Sequence, residues 1–430
     1  MAAMTADRLL KVSTIPAEDP ADLLAELHDP GPLAWVRRGN GLIGWGEVAT
    51  IIMPVCPDRF AFAERMLRAL FDAAETEDHV GLPGCGPVAF GSFTFDSARG
   101  GSVLTIPRTV IGRRNGAAWV TTITAARQGN IVSDELPPVP PAGGPGGCRN
   151  TLTAPRWERA VATAVERIRA GSLRKVVLAR DLEVTSQGPI NVIAALRALA
   201  DRDPDCYVFA CAGLIGATPE LLIQREGRQA RYRVIAGTAA RGSEPDEDAA
   251  ISTALATSAK EAEEHRYAAE SVSQALAPLC RQLAVEARPA VIRLADTHHL
   301  ATTISGTLAV DASALGLAGV LHPTAAVCGT PPGAAMDLIR ELENMDRGRY
   351  AGPVGWMDAH GDGEWGLALH CAEVDGSRAR LFAGCGIVAG SDPATEAAEA
   401  EVKFQPMLRA LEQSRMSQRA CREARARDGR

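Results

Sequence analysis

The chain of 430 residues contains no run of about 18 consecutive apolar residues, the length that a membrane-spanning helix needs. Residues 1–16 carry Asp7, Arg8 and Lys11 and no apolar block, which speaks against a secretory leader. None of the ten cysteines forms a Cys-x-x-Cys pair, so zinc sites and disulfide frameworks lack their usual spacing. Buried, reduced thiols in a cytoplasmic protein are the expectation. Basic charge is not in excess either. Lys and Arg number 45 against 52 Asp and Glu, for a net charge of −7, which argues against nucleic acid as a partner. Gly384-x-Gly386 with Gly390 has the wrong spacing for a dinucleotide fingerprint. What is present is the composition of an ordinary folded protein, 46% apolar and 23% charged, which excludes disordered, collagen-like and coiled-coil classes.

One segment breaks the chain. Residues 133–150 hold Pro137, Pro138, Pro140, Pro141 and Pro145 among four glycines, and neither helix nor inner strand survives that density. Residues 1–132 before it read as antiparallel strands (33–37 and 41–45 around a Gly39-Asn40 turn, 87–90, 117–123) with a helix over 60–73. After it, 151–413 read as helices over 156–170 and 258–277 and strands over 175–184, 207–215, 221–225, 364–374 and 380–388. Long strands without a βαβ rhythm predict an α+β fold. Residues 414–430 are an Arg-rich tail, expected to be a solvated end.

Two helices carry paired carboxylates. Ser258-Ala-Lys260-Glu261 is a capping box, which puts Glu261 and Glu264 three residues apart on one face. Ser391-Asp392-Pro393 starts another helix, with Glu396 and Glu399 at the same spacing and Lys403 a turn later. Converging, the pairs make an oxygen-rich site suited to Mg²⁺; apart, they are two solvated faces. Lys175 and Glu220 sit in apolar strands, where burial pushes a lysine towards a base and a carboxyl towards an acid. Each is equally readable as a strand-end residue reaching water. Ala236-Gly237-Thr238 and Gly384-Cys385-Gly386 place small residues where backbone amides can approach an anion, or form plain turns.

In order along the chain, Lys175-Val-Val-Leu, Thr218-Pro-Glu220-Leu-Leu, Ala236-Gly-Thr238, Lys260-Glu-x-x-Glu264-His265, His299-Leu300, Arg347-x-x-Tyr350-Ala-Gly, Gly384-x-Gly-Ile-Val388 and Ser391-x-Pro-x-x-Glu396-x-x-Glu399 resemble the chorismate-utilising enzyme family, and most closely its isochorismate synthases of the menaquinone type. The resemblance covers roughly residues 151–412 and implies one core of two facing, largely antiparallel sheets flanked by helices, in α/β/β/α layers. It implies chorismate as the small-molecule substrate and Mg²⁺ as the cofactor, in a monomer or homodimer. Glu264 and Glu399 would bind the metal directly, with Glu261 and Glu396 acting through water. Lys175 would deprotonate the water that attacks C2, and Glu220 would protonate the C4 hydroxyl as it leaves. Amides around Gly384, Cys385 and Gly386, with Lys403, would meet the ring carboxylate, and Tyr350 the enolpyruvyl carboxylate. His299 would line the ring pocket beside Ala236, Gly237 and Thr238.

Family members that use ammonia generally lack the lysine found here at 175, and aminodeoxychorismate synthases carry a lysine where this chain has Ala236. The pattern therefore implies water addition. Salicylate synthases share that chemistry and then eliminate pyruvate, and no single residue separates them from this chain. One departure matters. The family usually has Arg at His370, pairing with the enolpyruvyl carboxylate; histidine is shorter, is not bidentate, and ordinarily carries charge only near or below about pH 6.5. An altered substrate affinity or a chorismate-binding protein with impaired catalysis is the alternative that this residue raises. The sequence leaves open whether the product feeds menaquinone or a siderophore.

Overall fold

In the computed structural model, residues 9–125 and 153–428 are described, with side chains as far as residue 415. The Pro/Gly segment at 133–150 lies outside the described residues. The first part contains β1 (Leu10–Ala17), β2 (Leu33–Arg37), β3 (Asn40–Ile52), α1 (Arg59–Asp72), β4 (Ala74–Asp78), β5 (Val88–Ser92), β6 (Val103–Arg114) and β7 (Ala117–Ala125). The second begins α2 (Ala154–Arg169), β8 (Lys175–Thr185), α3 (Val192–Arg202), β9 (Tyr207–Cys211), β10 (Leu214–Thr218), β11 (Leu221–Glu226), β12 (Gln229–Ala240), α4 (Pro245–Thr257) and α5 (Ala259–Leu276). It continues with β13 (Cys280–Val285), β14 (Ala290–Arg293), β15 (Thr297–Leu308), α6 (Ala314–Leu321), β16 (Gly329–Thr330), α7 (Pro332–Leu342), β17 (Pro353–Asp358), β18 (Gly363–Leu367), β19 (Cys371–Asp375), β20 (Arg378–Ile387) and α8 (Pro393–Asp428).

The strands form two sheets that share β6. Its later half pairs with β7, and its start pairs with β5, while β3 runs along its whole length. From β3 one sheet continues through β2, β9, β10, β19 and β20 to β8. From β5 the other continues through β17, β18, β11 and β12 to β15. Among the described residues only β1 and β4 pair in parallel. Helices α2, α3 and α8 pack on the first sheet, and α4, α5 and α6 on the second. This is the expected mixed α+β architecture. Because the long β6 crosses from one sheet to the other, the part before residue 126 and the part after 153 share one continuous hydrophobic core.

Two expected strands are broken, and both breaks shape the site. The strand over 207–215 is a hairpin, because Ala212 and Gly213 both take positive φ (48° and 81°), the geometry of a tight two-residue turn. The strand over 364–374 divides into β18 and β19 at His370, whose φ is 45°. The two small-residue segments are not turns. Ala236-Gly237-Thr238 is a bulge inside β12, with Gly237 at φ 83°, and Gly384 to Gly386 lie within β20. The tail from 414 continues helix α8 as far as Asp428, with the buried Ser414 hydroxyl donating to the Asn191 carbonyl at 2.9 Å.

Both carboxylate helices start where the caps predict. Ser258 accepts from the Glu261 amide at 3.3 Å, and Asp392 from the Thr395 amide at 2.9 Å. His265, Ala268, Val272 and Leu276 form the buried stripe of α5, which faces β12 and β15. In α8, Ala400, Phe404, Met407 and Leu411 play the same part against the first sheet and its helices. Each packed stripe fixes the roll of its helix, and thereby the direction of its glutamates.

Candidate active site

The first turns of α5 and α8 meet the ends of β12, β15 and β20 around one pocket. Its lining includes Glu220, Ala236, Gly237, Thr238, Glu261, Glu264, His299, Tyr350, His370, Gly384, Gly386, Glu396, Glu399 and Lys403. Both glutamate pairs therefore converge, and the reading of two separate solvated faces is overturned. Two expected residues do not line it. Lys175 lies behind Glu264, fully buried, with Nζ 3.0 Å from Glu264 Oε1. Cys385 points out of the pocket, as strand alternation between two pocket glycines requires, and its thiol donates to the Glu396 carbonyl at 3.3 Å.

Glu220 follows the Thr218-Pro219 corner between β10 and β11. It is 2% exposed, and burial pushes its carboxyl up to about 8 against the lowering effects of the Tyr232 hydroxyl, Lys175 and Arg233. Tyr232 donates to Oε1 at 3.3 Å, which leaves Oε2 to carry the proton. A neutral acid at neutral pH thus stands near a buried lysine, which is itself held by Glu264.

The carboxylate end is dense with compensated charge. Glu261 is held up by burial and by Glu264, and Glu396 by burial and by Glu399. Three ammonium groups answer them. Besides Lys175 on Glu264, Lys403 contacts Glu399 at 2.7 Å and donates to the Gly384 carbonyl at 2.9 Å. Burial disfavours the Lys403 charge, yet Glu399 outweighs it and raises the group well above the usual lysine range. Lys260 lies 3.4 Å from Glu396 and 3.6 Å from Glu261. At both pocket glycines a side chain would force a neighbour to move. A Cβ on Gly386 would stand 2.0 Å from Glu264 Oε1, and one on Gly384 2.7 Å from the Tyr350 hydroxyl oxygen.

These donors suit a hard divalent cation. Mg²⁺ takes one or two carboxylates together with water and substrate oxygens, and the Glu261 and Glu396 carboxyls, held up by burial and by the neighbouring Glu264 and Glu399, gain from a dication. Among the described residues, the metal-ligand atoms of Cys385, Glu396 and Glu399 come within 4.8 Å of one another. Burial keeps the Cys385 thiol protonated, so the carboxylates are the fitting part of that group.

The other end is neutral. His299 is pushed down to about 3 by burial and then by His370 and Lys403, and it stands between the hydroxyls of Thr238 (Nδ1, 3.1 Å) and Thr297 (Nε2, 2.8 Å). His370 is pushed down to about 4 by burial and then by Lys403, so the charge change anticipated near pH 6.5 moves out of the working range. Burial also raises Tyr350, whose ring stacks on Phe382 at 5.0 Å. His265 is not in the pocket. Burial keeps it neutral; its Nδ1–H donates to the Ala236 carbonyl at 3.1 Å, and Nε2 accepts from Thr302 at 2.7 Å. It fastens α5 to the bulge of β12.

Tyr232, Thr297 and Lys260 escape sequence reasoning as site residues. Only Lys260 left a signal, through its place next to Glu261 in the capping box. Tyr232 and Thr297 acquire their roles from strand pairing between β11, β12 and β15, which no local pattern encodes.

A pocket holding a neutral acid and four convergent glutamates, backed by a buried lysine and set between paired antiparallel sheets, defines a class. The chain matches the chorismate binding enzyme family over residues 143–412, and it belongs to that family. It is 41% identical over 267 residues to isochorismate synthase DhbC of Bacillus subtilis, a match covering 59% of this chain and 67% of that protein. It is 34% identical over 380 residues to isochorismate synthase MenF of the same organism, covering 81% and 79%. Its fold matches that of MenF, the menaquinone-specific isochorismate synthase from Escherichia coli, with a TM-score of 0.75 and 26% identity over 94% of each chain.

Proposed function

We propose that this chain is an isochorismate synthase, an isomerase that adds water at C2 of chorismate and releases the C4 hydroxyl as water. The observation that carries the reading is Glu220, a buried carboxyl held up to about 8 beside Lys175, at a pocket lined by four glutamates. Lys175, acting as the free amine after its ammonium has passed a proton on, takes a proton from the attacking water while Glu220 delivers one to the leaving hydroxyl. Oxygen enters and leaves as water, so the product is an isomer. General acid and base groups contribute about 10²- to 10⁴-fold each in such steps.

Mg²⁺ is the proposed cofactor: Glu264 and Glu399, together with Glu261 and Glu396, would hold it, and it would supply positive charge for the ring carboxylate of chorismate. Lys403 and the Gly384–Gly386 backbone face that same carboxylate, His299 lines the ring pocket, and Tyr350 and His370 border the enolpyruvyl end. Water addition agrees with Ala236, which has no amine to form an adduct. The described cysteines are free thiols and no helix among the described residues is long and apolar enough to cross a membrane, which supports a cytoplasmic setting.

Incubation with chorismate and Mg²⁺, followed by chromatography and mass spectrometry, yields a product of unchanged mass. Salicylate with pyruvate would instead identify an isomerase that continues to a lyase step. Calorimetric binding of chorismate without turnover would leave a binding protein in which His370 has cost the activity.

A further inference from the structure

Four glutamates converge on the pocket, but the three lysines that answer them are not equivalent. Lys175 is fully buried behind Glu264, and Lys403 is fixed by both Glu399 and the Gly384 carbonyl. Lys260 differs: 37% of its side chain is exposed, and it reaches across from the first turn of α5 to Glu396 at the first turn of α8. The carboxylates it touches cannot follow it. Glu396 is 2% exposed, and the second oxygen of Glu261 accepts from the Thr238 amide at 3.1 Å. A movable cation thus rests on two fixed anions.

We infer that Lys260 is the resident counter-ion of this carboxylate set, holding Glu261 and Glu396 while the divalent cation is away and moving into solvent when it binds. The inference rests on reading the four glutamates as the metal site. Buried carboxylates that face one another are costly without a positive partner, so an exchangeable ammonium keeps the empty site folded. Its flexible stem lets the head group swing to water at small cost. The same ammonium opposes the incoming dication, because like charges at this range repel. Metal affinity is then set by an exchange of cations and not by the glutamates alone.

The test is calorimetric titration of Mg²⁺ into metal-stripped wild type, Lys260→Met and Lys260→Arg, with thermal midpoints measured in chelator and in saturating Mg²⁺. Methionine at 260 is expected to tighten Mg²⁺ binding about tenfold, lower the midpoint in chelator, and enlarge the rise that Mg²⁺ produces. Arginine should stay close to wild type. If methionine lowers solubility, Lys260→Gln takes its place with the same expectation. If wild type binds Mg²⁺ and the neutral variant binds it equally or more weakly, the counter-ion role is overturned while the metal site stands. If wild type binds no Mg²⁺, the metal reading itself fails.

Discussion

The two ends of the pocket handle buried ionisable groups in opposite ways. At the glutamate end every charge has a partner: Lys175 on Glu264, Lys403 on Glu399, Lys260 between Glu261 and Glu396. At the histidine end His299 and His370 have hydroxyl, carbonyl or apolar neighbours together with the Lys403 ammonium, and both are driven neutral. Burial alone therefore does not decide ionisation here; the presence of an opposite charge does. The proposed proton transfers and cation fall at the first end, and the proposed ring pocket at the second.

Glu220 stands between the two regimes, buried like the histidines yet within reach of a lysine, and its variants should have the largest effects. Lys175→Ala and Glu220→Gln are each expected to lower kcat by about 10²- to 10⁴-fold in the product assay, with smaller changes in KM. In wild type, kcat should fall as pH rises past about 8, where Glu220 loses its proton. Stability carries the same signature. A carboxyl raised from 4.5 to about 8 on folding stabilises the native state below 4.5, and that contribution is lost progressively as pH rises to about 8. The midpoint of Glu220→Gln, followed against pH, should decline less over that window than that of wild type. An equal decline would remove Glu220 from the neutral regime.

Gly386→Ala tests whether the glutamate end is as tightly built as its contacts imply. The new methyl would lie 2.0 Å from Glu264 Oε1 and 3.2 Å from Lys175 Cε. The end of the Glu264 side chain can shift, so the fold should survive with a thermal midpoint near wild type. Displacing a supporting contact of a metal ligand typically costs about 10- to 100-fold in affinity, and a Mg²⁺ titration should show a loss of that order. Unchanged affinity would mean that Glu264 is not held where the metal needs it.

The two ends were not equally legible in the sequence. The glutamate pairs were readable because capping chemistry and helical spacing are local: Ser258 and Asp392 fix where each helix starts, and i, i+3 spacing fixes the shared face. That the two faces converge is a tertiary fact, and only the ordered resemblance over the second half pointed to it. The neutral end depends on non-local pairing. His299 meets Thr238 because β12 and β15 run antiparallel with a bulge at Gly237. The break at His370 was missed because the apolar run over 364–374 reads as one strand; its left-handed backbone is set by the junction between two strands of different sheets. The fold class was legible from long strands without βαβ rhythm, whereas the joining of two sheets through β6 was not, since a single strand's sequence does not say that its two halves have different partners.

His370 offers the smallest expected effect and the sharpest probe of the neutral end. If the enolpyruvyl carboxylate of chorismate lies beside it, a neutral imidazole gives that carboxylate at most an ordinary hydrogen bond. Since burial and Lys403 hold His370 down to about 4, the KM for chorismate should be flat between pH 5 and 8. A KM that rises through pH 6 to 7 would show a histidine still charged in that range, and the contrast between the two ends would weaken. His370→Arg adds the fixed charge that the neutral end lacks. A charge-assisted hydrogen bond contributes about 1.5–3 kcal/mol, but a second cation near Lys403 offsets part of it, so KM should fall roughly tenfold with kcat nearly unchanged. The left-handed backbone at 370 already accommodates a side chain with a Cβ, so the substitution adds no backbone strain. An unchanged KM would mean that the carboxylate is anchored elsewhere, with Tyr350 and the Gly384 backbone the next groups to vary.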